Sequence, residues 1–344
     1  MTVIKESDQY IKFVILTGVS KFAKVSVFSG LNNLTDITID DKFANLLGYT
    51  QEELEYYFEE NIKLLTNKFN IQKEKLLYEI RRWYNGYSWN GKDFLYNPYS
   101  ILSLFLKQEF NNYWFATGTP TFLIKLIKEK NVDIKEFDNL EKLSSLLESF
   151  EIDNIDIYSL LFQTGYLTIK KVIQEDFTRK KYILSYPNLE VKESFLNNIL
   201  KSFVENSNSD VLIWHIKDEI ERNNLDKVFE IIKSIYASIP NQIFMKDKES
   251  YYHTIFYLIL SLLGTRIEVE INTNIGRIDG VIHTKERIYI VEFKIGKAEE
   301  GLKQIEENKY YEKYLSLNKK IVLIGIGFNK RKKNIDKYVC KELG

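Results

Sequence analysis

Between Glu249 and Phe328 the hydrophobic pattern switches repeatedly between helical and strand periods. That succession restricts the fold more than any other feature of the chain. "ESYYHTIFYLILSLLG" reads as a helix stopped by Gly264, and "RIEVEI" alternates as a half-buried strand does. After a "TNIG" turn, "RIDGVIHT" and "RIYIVEFKI" read as a hairpin closing on Lys285-Glu286. "KAEEGLKQIEENKYYEKYLS" is an amphipathic helix and "KKIVLIGIGF" a buried strand. The expected order is α-β-β-β-α-β, an α/β (α+β) arrangement around one sheet. "GIGFNK" (325–330) lacks the third glycine of a phosphate-binding fingerprint and follows the last of these strands, so it reads as a strand end.

Asp279, Glu292 and Lys294 interrupt strands that otherwise favour burial. Side chains alternate along a strand, so Glu292 and Lys294 share one face while Val291, Phe293 and Ile295 share the other. With a two-residue turn at Lys285-Glu286, Thr284 faces Arg287, and counting back along both strands brings Asp279 opposite Glu292. Residues so opposed lie about 4.5–5.5 Å apart. Two carboxylates then stand side by side, with an ammonium two residues along. Like charges in this position destabilise a sheet, and they cost several kcal/mol if desolvated without a partner. A divalent cation removes that penalty. Mg²⁺ takes oxygen ligands and is held by one or two carboxylates with waters and substrate phosphate. It would lower the pKa of a bound water, with Lys294 orienting that water or stabilising charge at phosphorus. Isolated D-x(n)-E-x-K strings are common by chance, and charged strand ends also guard against aggregation. The register and the surrounding element order single this string out.

Elsewhere the pattern is less specific. "IKFVILTGV" (11–19) reads as a buried strand, followed by a mixed segment with turn signals at Ser29-Gly30 and Asn32-Asn33. Thr50 and Glu53 form a capping box that opens a helix at "QEELEYYFEENI". Residues 81–100, "RRWYNGYSWNGKDFLYNPYS", are turn-rich and aromatic. Such rings can stack on unpaired bases, though a packed turn is their commoner use. Helical periodicity dominates from Ile101 to about Ile239, with one hairpin-like interruption at 165–187. The basic run "NKRKKNIDK" (329–337), beyond the last expected strand, suits either phosphate contact or a solvated surface.

Composition narrows the function classes. The 344 residues carry no formal net charge, and residues 241–344 hold 19 Lys/Arg against 14 Asp/Glu. Overall charge therefore points to no nucleic-acid or membrane partner. Cys340 is the only cysteine, which excludes a disulfide framework and cysteine-ligated zinc within one chain. His215, His253 and His283 are scattered, and no nucleophile–histidine constellation is visible. The apolar runs at 255–263 and 321–328 are shorter than the roughly 18 residues of a membrane span, and no stretch resembles a signal peptide. A cytoplasmic location without membrane contact is expected.

"GRIDGVI…IYIVEFK", "AEEGLKQIEENKYYEKY" and "KKIVLIGIGF" together closely resemble the C-terminal PD-(D/E)XK nuclease domain of bacterial AAA-ATPase-like proteins. "ILTGVSKFAKVSVFSGLNNLTDIT", "RRWYNGYSWNGKDFLYNPYSI" and "YWFATGTP" resemble the rear part of the ATPase-like domain of the same proteins. The resemblance implies a restriction-endonuclease-like domain at 241–344, an ATPase-like remnant with helical lid region at 1–125 and a mostly helical middle region at 126–240. It implies Asp279 and Glu292 as metal-binding acids, Lys294 as the catalytic lysine, and Gln304 as a supporting helix glutamine. It adds Glu249 and Glu270 as further metal-binding acids, although an acid at a helix start also stabilises that end through the helix dipole. Mg²⁺, with Mn²⁺ as the substitute, is the expected cofactor, and DNA the expected substrate. The chain departs from the family in having no G-x-x-x-x-G-K-[ST] string. By the resemblance it starts inside the ATPase fold, so nucleotide hydrolysis is not expected, and a polypeptide supplying the missing half is a second expected partner. The competing expectation is a non-catalytic interaction module that keeps the nuclease fold for binding alone.

Overall fold

The computed structural model describes residues 6–18, 35–117, 121–130, 132–143, 156–177, 179–204, 209–239, 249–264, 267–272 and 277–343. The chain divides into two compact units, Met1–Ser194 and Phe195–Gly344. No described helix is long and apolar enough to cross a membrane.

The first unit contains helices α1 (Gln51–Tyr57), α2 (Glu59–Phe69) and α3 (Lys73–Tyr84), a small ribbon of β1 (Asn85–Tyr87) and β2 (Leu95–Tyr96), and helices α4 (Pro98–Lys107) and α5 (Thr121–Lys130). Strand β3 (Leu140–Leu143), helix α6 (Ile157–Gln163) and strands β4 (Thr168–Gln174) and β5 (Lys180–Ser185) complete it, and α7 (Leu189–Phe203) crosses the division. The capping box forms as expected: Glu53 N donates to Thr50 Oγ1 at 3.2 Å, and Thr50 N donates to Glu53 Oε2 at 2.9 Å. The aromatic segment is a packed turn. Tyr84 and Tyr96 are buried among Leu54, Ile80 and Leu104, and Tyr96 Oη donates to Gln51 Oε1 at 2.6 Å. Asn97 ends the turn by capping α4 through Tyr99 N and Ser100 N. Glu190, in the first turn of α7, is buried but satisfied, accepting from Ser100 Oγ at 2.8 Å and Trp114 N at 2.7 Å. Its burial raises the carboxyl to about 6.

Two expectations for this unit need correction. Residues 11–18 form no strand, and Phe13, Ile15 and Leu16 are exposed. An apolar run becomes a strand only where another strand satisfies its amides, and none of the three sheets includes it. Val19, the rest of that run, and the whole of the mixed segment after it (20–34) lie outside the described residues. Within the stretch that reads as helical, β3 joins the expected β4–β5 hairpin as a third antiparallel strand, in the order β3-β5-β4.

The second unit begins with α8 (Ser209–Glu221), α9 (Leu225–Ala237) and α10 (Glu249–Leu262). Strands β6 (Ile267–Asn272), β7 (Arg277–His283) and β8 (Arg287–Ile295) form an antiparallel meander. Helix α11 (Ala298–Glu307) then carries the chain over to β9 (Lys320–Asn329), which is parallel to β8. The α-β-β-β-α-β order is thus observed, with one addition. The basic run at 329–337 does not lie beyond the sheet: it supplies a turn and the start of β10 (Asn334–Leu343), antiparallel to β9 on the sheet edge. Its charged residues disguise it because an edge strand keeps one side in water.

Both sheet faces are covered. Ile288, Ile290, Leu323 and Val281 pack with Ile305 of α11 and with Tyr310 and Tyr314 beyond it. The opposite face meets Ile216, Phe229, Ile232, Phe256 and Leu260 of α8, α9 and α10. The α11 side is drawn in very close. A Cβ on Gly325 would lie 2.1 Å from Ala298 O and 2.5 Å from Leu302 N, both backbone atoms of α11. Gly325→Ala must therefore push the helix off the sheet. It is expected to lower stability by about 1–3 kcal/mol or more, read as a shift of the denaturant midpoint. An unchanged midpoint would show that α11 is not seated against β9.

Candidate active site

The β7–β8 register matches the count from the turn. Gly280 faces Val291, Val281 faces Ile290, Ile282 faces Tyr289 and His283 faces Ile288. The turn is closed by Thr284, whose N donates to Arg287 O at 2.8 Å and whose Oγ1 accepts from Arg287 N at 2.9 Å. Regular pairing stops at Gly280–Val291, one step short of Asp279 and Glu292. There the carboxylate of Asp279 reaches the neighbouring backbone instead, and Phe293 N donates to Asp279 Oδ2 at 2.7 Å.

Glu292 is 3% exposed, an unusual depth for a carboxylate. Its Oε1 accepts from Gln304 Nε2 at 2.6 Å and from Lys294 Nζ at 3.1 Å. Its Oε2 is buried and has no hydrogen-bond partner among the described residues. Burial, then the charge of Asp279, pushes the Glu292 carboxyl up to about 7, with Lys294 and, less strongly, the Asp279 backbone amide pulling the other way. Asp279, Glu292, Lys294 and Gln304 are therefore brought together at one end of the sheet. Gln304 is itself held by Tyr310, whose Oη is 3.4 Å from Nε2 and accepts from Asn308 Nδ2 at 2.8 Å. Neither Tyr310 nor Asn308 stands out in the sequence, where "NKYY" reads as part of the amphipathic helix; the helix in fact ends at Glu307, before it.

Glu249 is the first residue of α10, and Glu270 sits in β6 between the Val269–Gly280 and Ile271–Ile278 pairs, alongside the position of Asp279. Their side chains lie outside the described residues. Among those described, no group of three or more His, Cys, Asp or Glu side chains converges as a metal site. The pair that does converge still fits Mg²⁺, which needs only one or two carboxylates beside waters and phosphate. The decisive feature is the orphaned Glu292 Oε2, since a buried carboxylate oxygen without a partner costs free energy that a cation would recover.

With that geometry in view, residues 247–338 match the PD-(D/E)XK nuclease superfamily. The C-terminus of this chain is a PD-(D/E)XK nuclease superfamily domain. A protein of Azotobacter chroococcum mcd 1, described as "Uncharacterized protein in vnfD 5'region", is 36% identical over 351 aligned residues. The alignment covers 100% of this chain and 66% of that protein, so the chain spans about two thirds of that relative's length. No solved structure matches the chain.

The raised Glu292 has a measurable consequence for the PD-(D/E)XK domain. An ordinary glutamate in the unfolded chain loses its proton near pH 4.3. Between there and about 7 the folded metal-free protein holds a proton that the unfolded chain has lost. Stability must then fall as pH rises through that window. Glu190, raised to about 6, adds an effect of the same sign, so the comparison with Glu292→Gln isolates the site. Wild type is expected to lose up to about 3 kcal/mol more than the variant between pH 4.5 and pH 7.5 in chelator. Parallel pH profiles would mean that Glu292 is ionised throughout.

Proposed function

We propose that the C-terminal domain hydrolyses phosphodiester bonds, with DNA as the substrate. The observation that carries this function is the buried Glu292, with one oxygen unpartnered, beside Asp279 and Lys294. Asp279 and Glu292 would hold Mg²⁺ or Mn²⁺, with Glu249 and Glu270 as further ligands. When bound, the cation supplies an acidified water and stabilises charge on the phosphate. Glu292 must be ionised to serve, and Lys294 at 3.1 Å favours that state while its remaining protons stay free for a phosphate oxygen. Gln304 fixes the rotamer of Glu292 by occupying Oε1, which leaves Oε2 as the ligand atom. Phe293 N does the same for Asp279 by engaging Oδ2.

The test is purified protein with supercoiled plasmid and Mg²⁺. Nicking or linearisation by wild type, lost in chelator and in Asp279→Ala, is the expected result. Equal cleavage by Asp279→Ala, or intact plasmid with wild type, would overturn the proposal. We also propose, from their resemblance alone, that residues 1–125 are the rear of an ATPase-like domain, with the cytoplasm as location.

A further inference from the structure

Most cations around the nuclease sheet are neutralised by nearby acids. Lys303 pairs with Glu307, Lys332 with Asp336, Lys337 with Glu299 and Lys341 with Glu306. Lys297, Lys330 and Arg331 are exposed, and they make no ion pair among the described residues. These three lie together at the site end of the sheet. β8 and β9 run parallel, with Lys294 facing Gly327, and Gly296 N donates to Phe328 O at 3.0 Å. Lys297 and Asn329 are the next residues on each chain. Lys330 therefore stands three residues beyond Gly327, about 10 Å along the strand direction from the level of Lys294.

The turn that carries these cations is pinned. Arg331 N and Lys332 N both donate to Asn329 Oδ1, at 3.0 and 3.1 Å, which is an Asx-type turn. Lys333 takes the left-handed conformation at φ 52°, and Asn334 Nδ2 donates to Lys233 O at 3.0 Å, tying the far end to α9. Lys297 lies near enough to Glu299 to help Lys337 lower its carboxyl, while Lys330 and Arg331 are the exposed cations of the turn itself. Cations on an ordered backbone suit a polyanion better than those of a mobile, solvated tail, because less freedom is lost on contact.

We propose that the β9–β10 turn, with Lys297, binds the phosphate backbone of the nucleic acid beside the scissile bond. The inference rests on the nuclease function proposed above and assigns it a docking surface. Lys and Arg on phosphates position a duplex without reading its sequence, so the contact is sequence-independent. Binding is measured with full-length Glu292→Gln, in chelator, on a fluorescein-labelled DNA duplex across a range of salt. Adding Lys330→Ala and Arg331→Ala is expected to weaken binding equally on unrelated duplexes. It should also make the slope of log affinity against log salt shallower by about 2, since each lost phosphate contact removes about 0.9. Lys330→Arg with Arg331→Lys should keep the slope, and so should the control pair Lys303→Ala with Lys309→Ala. If the parent binds duplex and the alanine pair leaves its slope unchanged, the docking surface is overturned and the nuclease function stands. If the parent binds no nucleic acid and wild type leaves plasmid intact, the nuclease function itself is what fails.

Discussion

Glu292→Gln is expected to reduce Mg²⁺-dependent cleavage by about 10²–10⁴-fold while leaving the metal-free protein folded. The two halves of that result have one cause. In the folded state Glu292 is buried beside Asp279, and its Oε2 finds no partner. A neutral amide is nearly isosteric there and removes the repulsion, so the apo-protein loses little or gains. The same change removes a ligand charge, so the stabilisation by saturating Mg²⁺, expected at about 1–3 kcal/mol in wild type, should shrink. Lys294→Ala separates the roles. An ammonium is not a ligand, so cleavage should fall by a similar factor while Mg²⁺ still raises the melting temperature. If Glu292→Gln instead melts far below wild type in chelator, and Mg²⁺ shifts neither curve, the charges are structural and the catalytic assignment fails.

A chain beginning at Asn241 is expected not to fold, whereas one beginning at Phe195 is expected to melt cooperatively. The sequence suggests a boundary near 240, while the compact unit starts at Phe195. The difference is the C-terminal part of α7 together with α8 and α9. Ile216, Ile220, Val228, Phe229, Ile232 and Ile235 of α8 and α9 are all buried. Each is worth about 1.5–3 kcal/mol in burial, so together they contribute an amount comparable to the whole net stability of about 5–15 kcal/mol typical of a domain. Without them Tyr289, Val291, Ile324 and Ile326 would face water. Tyr289 Oη would also lose its 2.8 Å contact with Asn223 Oδ1. A soluble, cooperatively melting chain from Asn241 would show that α10 alone suffices to cover that face.

The nuclease hairpin is legible because two local rules agree. A two-residue turn sets the register, and the period of two then assigns each side chain a face. Asp279 and Glu292 follow from counting alone, and the observed pairs from Gly280–Val291 to His283–Ile288 share that count. β10 is not legible, since an edge strand alternates weakly and its Lys and Glu side chains resemble those of a loop. Residues 11–18 mislead in the opposite direction. Their apolar run satisfies a strand pattern, yet pattern cannot supply a neighbouring strand.

By itself, then, the sequence determines what depends on neighbours along the chain: the helix, meander, helix and strand of the nuclease domain, the Thr50 cap, and the shared face of Glu292 and Lys294. Tertiary structure decides what depends on contacts across the chain. Gln304 reaches Glu292 because Gly325 and Gly301 allow α11 to approach β8 and β9 backbone to backbone. The depth of that contact, and the placing of Asp279 beside it, bury Glu292 far enough to lift its carboxyl to about 7. No spacing in the sequence encodes that lift, because desolvation is set by the atoms that surround a group in space.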